Sequence, residues 1–236
     1  MIVICCHLFF MSEANFLDLG KSIMLKEYGT VSKEAYAELE EKKSRFIATV
    51  KPVSSEVEAQ EFVAVLKSRY WNASHNVYAW YICADSTMQK FSDDGEPSGT
   101  AGLPVLEAIK KLQVQDLTIV VTRYFGGTLL GASGLVRAYG RSAALGIEAA
   151  GIIKMQLCVK VSIIMEYTLL GRVQSLIASK GITAVEVVYG QDVEMILRIP
   201  VDGLEAFQAL VIETTNARAI VTAGESGFVI KSESSW

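Results

Sequence analysis

The sequence predicts an α+β protein of two domains. The length of the chain indicates the number of domains, and the order of its strand and helix patterns indicates the fold class. With 236 residues, the chain exceeds the usual domain size of about 100–150 residues. Strand and helix patterns fill its first part, and a new, self-contained pattern begins near residues 153–157. We therefore predict an N-terminal extension outside the fold at residues 1–24, an N-terminal domain at 25–155 and a C-terminal domain at 156–236.

The elements of the N-terminal domain are predicted from local signals. Runs of aromatic and β-branched residues predict strands, and Ser55 followed by Glu58 forms a capping box that starts a helix. One strand is apolar throughout, as expected when both of its faces are buried. The predicted elements are strands at 45–50, 76–84 and 117–121, a helix after Ser55, a short helix at 105–112 and a helix at 133–150 that Gly151 ends.

The C-terminal domain shows the order strand, helix, strand, strand, helix, strand. The strands are predicted at 158–165, 182–189, 193–199 and 217–223. A helical apolar face lies at 169–177, and Asp202 with Glu205 forms a capping box for the second helix. This order is the signature of a ferredoxin-like βαββαβ domain.

Composition narrows the class of function. A net charge of −4 and a pI of about 5.4 exclude a general polyanion binder, so contact with a nucleic acid needs a local basic patch. No C-x-x-C pair is present, so zinc and dithiol motifs are absent, and we expect a cytoplasmic protein. The apolar run at residues 1–11 is too short to span a bilayer, so no membrane partner is expected.

Residues 93–139 hold the candidate site, because two glycine-rich loops flank one buried strand there. Glycine at this density is tolerated where the backbone needs positive φ or approaches something closely. The first loop carries the acidic candidates Asp93, Asp94 and Glu96. The second loop and the helix after it carry the candidates for binding an anion or nucleic acid, namely Arg123, Tyr124, Gly126, Gly127, Gly131, Ser133, Gly134 and Arg137.

Two alternatives stay open for the charged residues. The three carboxylates could hold a divalent cation, although a polar turn explains their pattern more simply. Arg123 could present its guanidinium to a phosphate near the helix N-terminus, or it could pair with the carboxylates of the first loop. The sequence favours neither reading of Arg123.

No catalytic motif is present. The glycines match neither a Walker loop nor a dinucleotide fingerprint, and no serine lies in a G-x-S-x-G elbow. The candidate His75 is best interpreted as a hydrogen-bonded residue at a strand end. We predict no catalytic residue and no metal site.

These motifs resemble the YigZ/IMPACT family, through residues 43–46, His75 with Ala79, residues 93–102 and residues 121–139. The resemblance is to a bacterial two-domain member. It implies an N-terminal domain like the second domain of a small-subunit ribosomal protein, with a mixed sheet packed on helices, and a C-terminal domain like the last domain of elongation factor G. The eukaryotic relative regulates translation by interfering with activation of an initiation-factor kinase, but its C-terminal arrangement differs from the one predicted here.

The expected function is that of a non-catalytic regulatory protein associated with translation, whose partner is RNA, the ribosome or a translation factor, without DNA specificity and without a cofactor. An alternative is an enzyme or binding protein for a small phosphorylated or acidic ligand, using Asp93, Asp94, Glu96 and Arg123, with Mg²⁺. A third is a protein–protein regulator in which Tyr124, Phe125 and Leu129 form an apolar anchor.

Overall fold

The computed structural model describes residues 26–83 and 87–231, which form five helices and ten strands, the strands being arranged in two sheets. The predicted extension at 1–24 lies outside these residues. In chain order the elements are β1 (Glu27–Val31), β2 (Ala35–Glu41), β3 (Ser44–Pro52), α1 (Glu56–Arg69), β4 (His75–Ile82), β5 (Met88–Ser92), α2 (Gly102–Lys111), β6 (Leu117–Tyr124), α3 (Ala132–Ala150), β7 (Ile152–Met165), α4 (Tyr167–Ser179), β8 (Ala184–Tyr189), β9 (Val193–Pro200), a 3₁₀ turn (Val201–Gly203), α5 (Leu204–Thr215) and β10 (Ile220–Ile230).

The first sheet has the strand order β2-β3-β6-β4-β5. Each of its pairings is antiparallel, which corrects the mixed sheet that the resemblance implied. Strands β3 and β4 do run in the same direction, as a strand–helix–strand unit requires. They are not neighbours, however, because β6 lies between them and opposes both.

Helices cover both faces of this sheet, and that explains the apolar sequence of β6. Its side chains alternate between two cores: Ile119 and Val121 pack with α2 and α3, and Val120 packs with α1. The prediction that this strand is buried on both faces is confirmed. At the start of α1, the Ser55 side chain accepts a hydrogen bond from the Glu58 N–H at 3.3 Å, as the capping box predicts.

The second sheet confirms the ferredoxin-like prediction. Four of its five strands lie in the order β10-β7-β9-β8, and the fifth, β1, also pairs with β7. Helices α4 and α5 contribute Leu169, Val173, Phe207 and Val211 to the core. One capping prediction is wrong: α5 begins after the 3₁₀ turn and has no side-chain cap. The Asp202 carboxylate instead forms an ion pair with Lys26.

Strand β7 links the two parts of the chain. Its first residues, 152–156, pair with β1, and its later residues, 158–165, pair with β9. The sequence did not predict β1, because Tyr28 and Val31 are three residues apart and do not show the two-residue alternation of a strand. Since β7 is continuous through residue 155, the position of the domain boundary stays a prediction. Among the described residues, no helix combines the length and apolar character needed to cross a membrane.

Candidate functional site

A buried charged cluster joins the two glycine-rich loops. Arg123 shares a face of β6 with Ile119 and Val121, so its side chain points toward α3. There the guanidinium Nη1 donates to Glu96 Oε1 at 2.5 Å, and the hydroxyl of Tyr139 donates to the same oxygen at 2.7 Å. The side chains of Arg123 and Glu96 are only 6% and 4% exposed.

The guanidinium of Arg123 is also enclosed by aromatic rings. Its carbon lies 5.4 Å from the centre of the Phe46 ring and 5.6 Å from that of Phe125. Nη2 contacts Ser44 Oγ at 3.4 Å. Arg123 therefore pairs internally with Glu96, which is the second of the two alternatives.

The carboxylates of the acidic turn, residues 93–102, serve separate structural purposes. Asp93 accepts from the N–H groups of Gly99, Ala101 and Gly102 at 2.8–3.1 Å and so satisfies free donors at the start of α2. Asp94 accepts from the N–H of Asn76 at 2.6 Å and pairs with Lys67 at 2.5 Å.

These three carboxylates do not converge on one point. Asp93, Asp94 and Glu96 each face a different set of donors, and no group of three metal-ligating side chains occurs among the described residues. The geometry therefore gives no support to the Mg²⁺ site of the enzyme alternative.

His75 lies at the start of β4, beside the acidic turn. Its Nδ1 is 2.9 Å from the carbonyl oxygen of Asp94, and its Nε2 is 3.8 Å from Glu96 Oε1. This is the hydrogen-bonded strand-end position that the sequence predicts. His75 helps to hold the turn against the sheet.

The second glycine-rich loop leaves its backbone donors free. We call residues 127–134 the amide loop. The N–H of Gly126 donates to Ser44 Oγ, and that of Leu135 donates to the Gly131 carbonyl. Between them, no N–H of the amide loop donates to an acceptor in the described part of the chain. The candidates Gly127, Gly131, Ser133 and Gly134 all lie in this loop. Gly131, Ser133 and Gly134 are at the N-terminus of α3, where the helix dipole favours an anion.

A small basic groove lies next to the amide loop. It has a volume of about 220 Å³ and is lined by the cations Lys42, Arg137 and Arg141, the carboxylate of Glu41, and Leu39, Leu130, Gly134 and Ala138. We call it the basic groove. Within the described residues, none of its three cations has a carboxylate within salt-bridge distance.

An apolar groove of about 450 Å³ lies on the other side of Leu130. Its walls are Pro97, Phe125, Leu129, Leu130 and Leu135, and His75, Glu96 and Arg123 also line it. Leu129 is 84% exposed and Phe125 is 48% exposed. The apolar groove therefore has the buried cluster beside it and two accessible hydrophobic side chains at its rim.

Sequence reasoning missed three residues of this region. Lys42 and Arg141 were not candidates, and Tyr139 was not recognised as a donor to Glu96. One signal was available: Arg137 and Arg141 are four residues apart in a predicted helix and therefore lie on one face. Tyr124, a candidate, donates through its hydroxyl to Asn72 at 3.0 Å.

The buried cluster predicts a loss of stability at alkaline pH. Burial raises the pKa of the Tyr139 hydroxyl above its ordinary value, and the hydrogen bond to Glu96 raises it further. A tyrosine whose pKa is raised by folding stabilises the folded protein. This stabilisation is fully present when the pH is below the tyrosine pKa of the unfolded chain, about 10, and it is lost as the pH rises above that value. We therefore expect the free energy of unfolding to fall above about pH 10.

Urea unfolding between about pH 9 and pH 11 checks this expectation. Tyr139→Phe is expected to make the fall shallower. The slope does not vanish, because burial also raises the pKa of Tyr28 to about 12. An unchanged slope in the variant contradicts the assignment to Tyr139.

Comparison with known proteins places the chain in a family. The Impact N-terminal domain matches residues 42–147, and a domain of unknown function, DUF1949, matches residues 163–218. The IMPACT family member YvyE of Bacillus subtilis is 39% identical over 88% of this chain and 96% of its own length. YigZ of Escherichia coli, another IMPACT family member, is 46% identical over 42% of this chain and 50% of its own.

A solved structure agrees with this relationship. A crystal structure described as that of a hypothetical protein matches 86% of this chain and 99% of its own, with a TM-score of 0.55 and 28% sequence identity. The match therefore extends across both sheets. From these similarities in sequence and fold, the chain belongs to the IMPACT family.

Proposed function

We propose that this chain is a non-catalytic, cytoplasmic regulatory protein associated with translation. It binds RNA on the ribosome through its basic groove and amide loop. Membership of the IMPACT family supports a role in translation, because the resemblance described above links the eukaryotic relative to the regulation of translation. One observation supports the choice of RNA as the ligand. Three cations without a carboxylate partner border backbone N–H groups without an acceptor, within the part of the chain that the structure describes.

The charge arrangement favours a phosphate ligand. Like charges four residues apart on a helix destabilise it by about 0.2–0.5 kcal/mol, so Arg137 and Arg141 oppose folding slightly. A phosphate in the basic groove reverses that effect and also accepts from the free N–H groups at the start of α3. In a chain of net charge −4, such a local patch is the feature that RNA binding requires.

Removing both arginines is expected to weaken RNA binding and its dependence on salt. For Arg137→Ala with Arg141→Ala, we expect affinity for ribosomes or ribosomal RNA to fall on the order of tenfold at about 0.15 M salt. The slope of log affinity against log salt should become shallower by about 1.4–1.8, because two phosphate contacts are lost. Sedimentation with ribosomes at several salt concentrations measures both quantities.

The matched control is Arg172→Ala with Arg218→Ala, which removes the same charge from exposed positions in the second sheet's domain. This variant is expected to bind like the original protein. Equal losses in the two double variants would show that only net charge matters. Absence of salt-sensitive binding by the original protein would refute the proposed function.

The apolar groove favours a second candidate, a protein partner with a hydrophobic side chain. Leu129 and Phe125 at its rim are accessible anchors of the kind that protein interfaces use. If Leu129→Asp abolishes ribosome association while the arginine double variant retains it, a ribosomal protein is the better-supported partner.

A further inference from the structure

Three aromatic residues lie where the central strand β6 of the first sheet ends and in the turn after α1, and we call them the aromatic edge: Trp71, Tyr124 and Phe125. Trp71 follows the last turn of α1 and is 82% exposed. Tyr124 ends β6, and Phe125 comes directly after it. Within the described residues, the Trp71 ring contacts neither another aromatic ring nor a cation.

Hydrogen bonds fix the segments that carry these rings. The Tyr124 hydroxyl donates to Asn72 Oδ1 at 3.0 Å, and the N–H of Phe125 donates to Ser74 Oγ at 3.1 Å. The N–H of Ser74 also donates to the Arg123 carbonyl at 2.9 Å. The turn after α1 is therefore attached to the end of β6, so the rings are presented by ordered backbone.

Cations flank the aromatic edge. Arg69 precedes the turn and is exposed, without a carboxylate partner among the described residues. Arg45 lies directly opposite Tyr124 in the register of β3 and β6, although it also pairs with Glu38. Positive charge beside accessible rings suits a ligand that combines an anionic chain with flat aromatic groups.

The aromatic edge is continuous with the basic surface described above. A Cβ atom on Gly126 would lie 2.0 Å from the carbonyl group of Lys43, so the chain after Phe125 touches the turn that carries Lys42 and Lys43. The segment that carries Tyr124 and Phe125 therefore lies beside the turn that supplies Lys42 to the basic groove.

We infer that the aromatic edge stacks the bases of single-stranded RNA whose phosphates occupy the basic groove. This inference rests on the proposed function and narrows its ligand. Base faces are accessible in single strands, whereas in a duplex they are covered by neighbouring base pairs. A duplex can therefore reach the cations of this surface but cannot stack on Trp71.

The test uses the full chain and three probes: a mixed-sequence single-stranded RNA of about ten nucleotides, the same backbone without bases, and the same RNA closed into a stable duplex by a complementary strand. We expect only the single-stranded RNA to quench tryptophan emission, and Trp71→Ala to abolish that change. Trp71→Ala should weaken single-strand binding about 5- to 150-fold, the range for one stacked base. It should leave binding of the other two probes within about twofold.

Tyr189→Ala is the matched control, because Tyr189 is an exposed aromatic residue in the second sheet. It is expected to bind all three probes normally. If Trp71→Ala binds single-stranded RNA as well as the original protein does, or weakens all three probes equally, the stacking inference is wrong and the phosphate-binding proposal stands. If no probe binds at low salt, both fail.

Discussion

Replacing Glu96 with alanine is expected to lower the free energy of unfolding by about 3–5 kcal/mol, the usual cost of breaking a buried ion pair from one side. The change leaves the Arg123 guanidinium enclosed between Phe46 and Phe125 without its carboxylate. It also removes the acceptor of the buried Tyr139 hydroxyl. Urea unfolding of the full chain measures the loss, which should appear as a lower midpoint.

An exposed ion pair supplies the control for Glu96. Glu38 accepts two hydrogen bonds from Arg45, at 2.9 Å and 2.8 Å. The exposed pair therefore has hydrogen-bond geometry at least as good as that of the buried pair of Arg123 and Glu96. Both partners remain in contact with water, however, and water solvates whichever charge is left. Glu38→Ala should therefore leave the free energy of unfolding nearly unchanged. Similar losses in the two variants would contradict the view that burial makes Glu96 important.

The second large effect is expected at Gly126, where the chain after β6 passes the turn between β2 and β3. An added Cβ atom would lie 2.0 Å from the carbonyl carbon and oxygen of Lys43 and 2.4 Å from the nitrogen of Ser44. These are backbone atoms, so no side-chain rotation relieves the overlap. Overpacking of this kind costs about 1–3 kcal/mol and sometimes more, and we expect Gly126→Ala to reach about 3 kcal/mol.

Gly126→Ala should also weaken RNA binding, because the displaced turn carries Lys42 and Lys43. Its control is Gly171→Ala in α4, where an added Cβ atom meets no neighbour. There alanine is expected to stabilise the helix by about 0.5–1 kcal/mol. Thermal and urea unfolding of both variants provide the comparison. Normal stability and normal RNA binding in Gly126→Ala would show that the close approach is not required.

Much of the fold could be predicted because its signals are local. The apolar run of β6, the capping box at Ser55 and the element order of the ferredoxin-like sheet each depend on residues close together in the sequence. Strand β1 gave no comparable signal. Its partner, residues 152–156 of β7, lies more than a hundred positions away, and alternation over so short a segment does not identify a partner.

The sequence indicated which segments carry the candidate residues but not which partners their side chains have. Glycine density predicted positive φ or a close approach in the second loop, and Gly127 and Gly131 have positive φ while Gly126 lies against the Lys43 backbone. The partner of Arg123 depended on three-dimensional packing, since β6 turns that side chain toward Tyr139 of α3. The acidic residues are adjacent in the sequence, yet Asp94 and Gly95 have positive φ. This irregular backbone directs neighbouring carboxylates to different partners.

The continuity of β7 has a consequence for how this chain is assembled and how it can be divided. A cut at residue 155 severs a single strand, leaving β1 with only part of its partner and the ferredoxin-like sheet with a shortened central strand. During synthesis, β1 emerges early but must wait until residues 152–156 leave the ribosome before it can pair. Strand β10 then also pairs with β7, and the Lys231 ammonium group forms an ion pair with Glu27 at 2.6 Å, so the completed sheet joins the earliest described segment of the polypeptide to the latest.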